Sequence, residues 1–168
     1  MPPRQQTPLK NEEIRRQVDA MRAIGIIRDS QASHWSQVLL TPKPNNKWRF
    51  CIDFRNLNEA TESFGWPIPN IPIMLQRFGA YQAKFFAIFD FTQGYFQCPI
   101  SDESRVHTAF RTQFGLYEWN RVPMGLKSAG SYFQHVMSSH VLGGLIYTML
   151  ELYIDDCIIF ASTEDELV

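Results

Sequence analysis

The chain has 168 residues, 45% of them hydrophobic, with 16 Lys and Arg against 17 Asp and Glu for a formal net charge of −1. That length and apolar share suit one compact core and exclude a disordered, low-complexity chain. No run of about 18 apolar residues and no signal-like apolar stretch occurs, which argues against a membrane span or secretion and for an intracellular setting.

Charge is unevenly spread. Residues 1–58 carry ten Lys and Arg against five Asp and Glu, whereas beyond Lys127 there are six acidic residues and no Lys or Arg. A basic first third suits phosphates and an acidic last third suits metal ions; solvated helix faces would give the same asymmetry by chance. The cysteines Cys51, Cys98 and Cys157 are isolated, without metal-ligand spacing, and read as reduced, mostly buried thiols. His34, His107, His135 and His140 also lack ligand spacing and read as structural.

In chain order, residues 1–10, rich in Pro and Gln, read as a loose segment. Asn11-Glu12-Glu13 opens a helix with Ile14, Val18 and Met21 on one face, and Gly25 ends it. Residues 35–42 and 47–54 read as strands joined through a Pro44-Asn45-Asn46 turn. Asn70 caps a helix with Pro72 in its first turn, stopped by Gly79. Residues 84–91 form a strand, and residues 106–112 and 116–122 pair around Phe114-Gly115. Ser128 caps a helix reaching about His140. Thr163 to Glu166 is a capping box that opens a helix the sequence does not continue, so the chain is expected to be a fragment.

Two adjacent carboxylates, Asp155 and Asp156, interrupt a strongly apolar, β-prone run, the pattern of two short buried strands joined by a tight turn. Like charges between buried strands need something positive against them, and a hard divalent cation such as Mg²⁺ or Mn²⁺ is the simplest partner. A hairpin tip pointing into water is the alternative. Upstream, another apolar run ends in Asp90 and is followed by Gly94 and Tyr95. Strands ending in Asp90 and in Asp155-Asp156 can lie side by side, and three convergent carboxylates can hold two metal ions about 4 Å apart. That arrangement serves in-line phosphoryl transfer, as nucleotidyl transfer or as hydrolysis.

Five segments in order carry a resemblance. They are Trp48-Arg-Phe-Cys-Ile-Asp-Phe-Arg-Asn-Leu-Asn58, Phe89-Asp-Phe-Thr-Gln-Gly-Tyr-Phe-Gln97, Thr108-Ala-Phe-Arg-Thr112, Val122-Pro-Met-Gly-Leu-Lys-Ser-Ala-Gly130 and Tyr153-Ile-Asp-Asp156. From about Glu12 onward the chain resembles the fingers and palm of reverse transcriptases of LTR retroelements, gypsy type most of all. The resemblance implies an α+β fold with an antiparallel palm sheet backed by helices. Residues 11–89 would be mainly fingers and residues 90–168 mainly palm with a fingers–palm hairpin, in one continuous polymerase domain that stops before the thumb.

It also implies template-directed addition of deoxynucleotides to a primer 3′-hydroxyl. Asp90, Asp155 and Asp156, with the Phe91 carbonyl, would hold two Mg²⁺ ions, or Mn²⁺ in their place. Lys43 and Arg49 would close on the triphosphate, and Gln93 and Gly94 would offer it backbone N–H groups. Tyr95 would lie under the sugar and block a 2′-hydroxyl. Met124 and Gly125 would contact the nucleotide and let the template approach, while Tyr153, Ile154, Arg55 and Lys127 would meet template and primer. Phe96, Met124 and Gly130 stand where the family more often has His, Phe and Pro. Expected partners are an RNA or DNA template with primer, dNTPs, and the thumb, RNase H and integrase of a parent polyprotein, in the cytoplasm or in virus-like particles. A catalytically silent retroelement fragment and a metal-dependent nuclease are the other two readings.

Overall fold

A computed structural model describes residues 6–44 and 47–167. The expected Asn45-Asn46 turn and residues 1–5 of the expected loose segment lie outside them. The chain divides into two compact units interleaved in sequence, residues 1–62 with 95–127 and residues 63–94 with 128–168.

The first unit opens with α1, Pro8–Ala23, which starts earlier than Asn11 because Pro8 supplies a fixed φ at the first position and the Thr7 hydroxyl accepts from the Lys10 N–H (3.5 Å). Gly25, at φ +72°, ends it as the pattern predicts: the Ile26 N–H donates to the Met21 carbonyl (2.9 Å) and the Gly25 N–H to that of Arg22 (3.0 Å). Strands β1 (Ile27–Asp29), β2 (Ser36–Lys43), β3 (Lys47–Asp53), β5 (Phe110–Thr112) and β6 (Gly115–Trp119) form one sheet in the order β1-β6-β5-β2-β3, with β2 and β5 parallel and the other pairs antiparallel. Alternation turns Val38, Leu40 and Ile52 inward, onto Ile14 and Val18 of α1 and onto Phe54, Phe110, Tyr117 and Trp119.

The expected pairing of residues 106–112 with 116–122 is shorter than its pattern. The Thr108 hydroxyl accepts from the Trp119 N–H (3.0 Å) and donates to the Arg105 carbonyl (2.7 Å), so a 3₁₀ turn, Val106–Thr108, replaces the strand's start. One carboxylate of this unit is buried: Glu118 accepts from Arg28 Nε (2.7 Å) and the Ser30 hydroxyl (2.6 Å). Helix α2 (Arg55–Ala60), short helices α4 (Gly94–Gln97) and α5 (Asp102–Arg105), and their loops complete the path.

The second unit holds α3 (Ile71–Tyr81), β4 (Phe85–Asp90), α6 (Ala129–Val136), β7 (Leu150–Tyr153) and β8 (Asp156–Ala161). Its sheet is antiparallel throughout, in the order β4-β8-β7. Asn70 caps α3, its Oδ1 accepting from the Ile73 N–H (3.4 Å). Gly79 does not stop this helix. Phe78 and Tyr81 each bury an edge against Phe160 (ring centroids 5.1 Å), and that packing outweighs the roughly 1 kcal/mol a helical glycine costs. Gln82, at φ +56°, makes the left-handed exit instead.

Ser128 stands at the N-cap of α6 as expected, but its hydroxyl makes no cap bond; it accepts from the Phe64 N–H (2.9 Å), tying the extended segment before α3 to α6. Beyond α6 one π turn, Met137–Val141, carries the chain toward β7. The Thr163 hydroxyl and Glu166 carboxylate do make reciprocal cap contacts, with the Glu166 N–H (3.4 Å) and the Ser162 N–H (2.9 Å), but as a turn.

Burial pushes the thiols of Cys98 and Cys157 up, at Cys98 against the opposing Arg121 charge, whereas Cys51 is half-buried. Only thiolates attack disulfide reagents. Ellman's reagent at pH 8 is therefore expected to modify Cys51 alone in the native chain, and all three cysteines after denaturation; rapid native labelling of Cys98 or Cys157 would contradict this packing.

Candidate active site

β4 and β8 are apolar strands with a carboxylate at one end of each, β4 largely exposed and β8 mostly covered. Asp90 is the last residue of β4 and Asp156 the first of β8, and the two are directly opposed in register; on the other side Asp156 faces Tyr153, the last residue of β7. Opposed residues share a sheet face with Cβ atoms about 4.5–5.5 Å apart, so Asp90, Asp156 and Tyr153 form one row across three strands. Asp90 and Asp156 are exposed and Asp155, in the turn, is half-buried. None of the three makes an ion pair among the described residues.

Among the described residues no group of three or more His, Cys, Asp or Glu side chains is gathered so that it could hold a metal ion. The sheet instead opposes two of the expected carboxylates and leaves the third beside them on the turn. Opposed like charges repel, and an all-oxygen, all-anionic donor set at an open strand end fits a hard divalent cation.

The turn between β7 and β8 is two residues, Ile154 and Asp155. Ile154 has φ +57°, a conformation that glycine takes freely and a β-branched residue takes only under strain of about 1–3 kcal/mol. Left-handed φ at the first loop position lets a two-residue loop follow the right-handed twist of its strands. What holds it is Gln134 of α6. Its buried amide accepts from the Ile154 N–H (2.7 Å) and donates to the Leu152 carbonyl (3.3 Å). The outer edge of β7 thus finds a side-chain amide where a further strand would present a peptide group. Gln134 was not singled out by its sequence context, since nothing in a helical Gln signals a strand-edge partner.

The turn after β4 is equally constrained. Gln93 sits at φ +52°, and the Gly94 N–H donates to the Phe91 carbonyl (3.0 Å). A Cβ on Gly94 would come within 2.9 Å of the Phe133 ring and 3.1 Å of Phe91 Cβ, so this position needs glycine for packing. Both the Gly94 donor and the Phe91 acceptor are engaged with each other here.

The other expected site residues belong to the first unit. Tyr95, next in the chain after Gly94, is half-buried in α4. In the β2–β3 hairpin Thr41 faces Arg49 and Lys43 faces Lys47, so Lys43, Lys47 and Arg49 share one sheet face, exposed, with no ion pair among the described residues. Lys47 was missed, although its period-two spacing from Arg49 carries that information. Asn58 braces the loop around Met124: its Nδ2 donates to the Gly125 carbonyl (2.9 Å) and its Oδ1 accepts from the Lys127 N–H (2.8 Å). Met124 is exposed, Gly125 has φ +100°, and Lys127 Nζ donates to the Thr61 carbonyl (3.1 Å). Arg55 is held bidentately by Asp53 (2.7 and 2.6 Å), a hydrogen-bonded pairing that raises its pKa further.

The reverse transcriptase (RNA-dependent DNA polymerase) family pattern matches residues 41–168. The retrovirus-related Pol polyprotein from transposon 297 of Drosophila melanogaster is 37% identical over 159 residues, covering 92% of this chain and 15% of that protein. The corresponding polyprotein from Drosophila transposon gypsy is 35% identical over 161 residues (92% and 15%), and the enzymatic polyprotein of cauliflower mosaic virus (strain Strasbourg) 30% over 168 residues (98% and 24%). The chain thus spans less than a quarter of the length of these curated relatives. Among solved structures, a foamy viral protease–reverse transcriptase in complex with RNA/DNA hybrid shares the fold at a TM-score of 0.81 and 20% identity, covering 99% of this chain and 22% of that one. The α+β architecture, the carboxylate row at the end of its antiparallel sheet and the match across residues 41–168 agree: the chain belongs to the reverse transcriptase family.

Proposed function

We propose that the chain is the fingers–palm portion of an RNA-directed DNA polymerase within a retrotransposon polyprotein, adding deoxynucleotides to a primer 3′-hydroxyl. The observation that carries this is the in-register opposition of Asp90 and Asp156 with Asp155 on the strained turn beside them. Asp90, Asp155 and Asp156, with the Phe91 carbonyl, would hold two Mg²⁺ ions. Bound there, the ions would raise the acidity of the primer hydroxyl and neutralise charge on the departing pyrophosphate.

The chain's own groups do the rest. Arg49 forks onto phosphate oxygens and Lys43 and Lys47 add point charges, together screening the triphosphate so that an anionic substrate can approach an anionic sheet end. Tyr95 takes the space a 2′-hydroxyl would need, since a pocket rejects an added hydroxyl better by bulk than by weaker attraction. Met124 would contact the nucleotide, Gly125 would let the template backbone approach closely, and Arg55, Lys127, Tyr153 and Ile154 would meet template and primer. Template contact is by backbone and shape, not base sequence. No helix of the described residues is long and apolar enough to cross a membrane.

The test is extension of a labelled DNA primer on an RNA template. Growth that requires dNTPs and Mg²⁺ or Mn²⁺ supports the polymerase; metal-dependent shortening without nucleotides would identify a nuclease instead. Within that assay Arg49→Ala is expected to raise the KM for dNTP about 10- to 100-fold, the loss of a bidentate charge-assisted contact of roughly 1.5–3 kcal/mol, with a smaller change in kcat. An unchanged KM would remove the hairpin cations from the triphosphate site.

A further inference from the structure

One fully buried carboxylate in the second unit has no part in the proposed chemistry. Glu151 lies on β7, two residues before Tyr153, with its register partner Ile158 on β8 and, beyond that, Ile88 on β4. This row, Ile88–Ile158–Glu151, is on the same sheet face as the row Asp90–Asp156–Tyr153 and about 7 Å behind it. Glu151 is therefore a third carboxylate on the face that carries Asp90 and Asp156.

Its only neutralising partner among the described residues is Arg77 of α3, which forks onto it: Arg77 Nε donates to Oε1 and Nη2 to Oε2 (2.8 Å). The guanidinium also lies over the ring of Tyr147 (4.4 Å), a non-glycine residue at φ +71° in the approach to β7. Arg77 thus grips β7 at its middle and its approach, while Gln134 holds the other end at Leu152 and Ile154. Removing one partner of a buried pair leaves an uncompensated buried charge, which the strand can relieve only by moving toward water.

We propose that Arg77 is a positioning residue for the candidate metal site: by fixing and neutralising Glu151 it holds β7, and with it the turn that carries Asp155, in its setting beside the opposed pair Asp90 and Asp156. The inference rests on the metal-binding reading above. Residues of this kind, one step removed from the ligands, typically change metal affinity about 10- to 100-fold when lost.

The test is Mn²⁺ titration followed by electron paramagnetic resonance, well below the melting temperature, beside amide hydrogen exchange of residues 153–156. The proteins compared are the wild-type chain, Asp155→Asn, Arg77→Met and Arg77→Lys. Arg77→Met is expected to weaken Mn²⁺ binding about 10- to 100-fold and to speed exchange in the turn, with Arg77→Lys, which keeps the charge but not the fork, in between. A merely structural pair would lower the melting temperature and leave the affinity of the folded chain unchanged. Binding within error of wild type in both Arg77 variants, while Asp155→Asn abolishes it, overturns this inference alone. If Arg77→Met does not fold, Arg77→Lys decides by the same criterion. Wild-type binding that is absent or indifferent to Asp155→Asn overturns the metal reading and this inference with it.

Discussion

Asp155→Asn is expected to lower nucleotide-dependent primer extension at least about 10³-fold, the scale on which losing one charge-stabilising group slows phosphoryl transfer. The substitution exchanges an oxygen for an NH₂ group of nearly the same size, so it removes a charge and a ligand without opening a cavity. Asp155 lies in the turn and is half-buried, with no ion pair to break among the described residues. Asp90→Asn makes the complementary case. Asp90 directly opposes Asp156, and removing one of two opposed like charges is expected to stabilise the fold by roughly 0.2–1 kcal/mol while extension is lost to a similar degree. A carboxylate pair that weakens the fold it sits in is the mark of a site selected for chemistry. The check is a primer-extension rate beside a thermal melt for each variant. Extension that survives Asp155→Asn, or a melting temperature that falls in Asp90→Asn, would contradict the assignment.

Much of this was legible in the chain because apolar runs ending in carboxylates have few ways to be buried. The runs that form β4 and β7–β8 point to strands side by side with Asp90 and the Asp155-Asp156 pair at one end, and the register opposes Asp90 to Asp156; the antiparallel sheet is what the family resemblance implies. Local punctuation was read less well where tertiary packing decides. Gly79 looks like a helix stop in isolation, but Phe78 and Tyr81 on Phe160 carry α3 past it. Ser128 looks like a helix cap, but its oxygen is taken by a backbone donor from another segment. Long-range polar pairs were invisible: Arg77 and Glu151 are 74 positions apart, and Gln134 and Ile154 are 20 apart. Neither spacing has a periodicity to reveal it. The left-handed conformation of Ile154 was equally hidden, because β-branched side chains argue against it and only the clamp that enforces it makes it explicable.

Gln134→Leu should uncouple that clamp. Leucine fills a similar volume in the buried site but offers neither donor nor acceptor, so the Leu152 carbonyl and the Ile154 N–H lose their partner together. Each buried group left unpaired costs about 1–3 kcal/mol, and the strain at Ile154 is then no longer imposed by its surroundings. The expected results are a loss of stability of about 2–4 kcal/mol, faster amide exchange at residues 152–157, and a 10- to 100-fold loss of extension although every candidate ligand is intact. Ile154→Gly supplies the decisive cross-check. In the wild-type background glycine relieves the left-handed strain, at the expense of the isoleucine's packing. Once Gln134 is gone and the turn has relaxed, there is no strain left to relieve. The two substitutions should therefore be non-additive, with Ile154→Gly more costly in the Gln134→Leu background by more than the roughly 0.5 kcal/mol within which independent sites add. Additive effects would mean that the turn keeps its left-handed residue without the amide, and that Gln134 packs against the hairpin without shaping it.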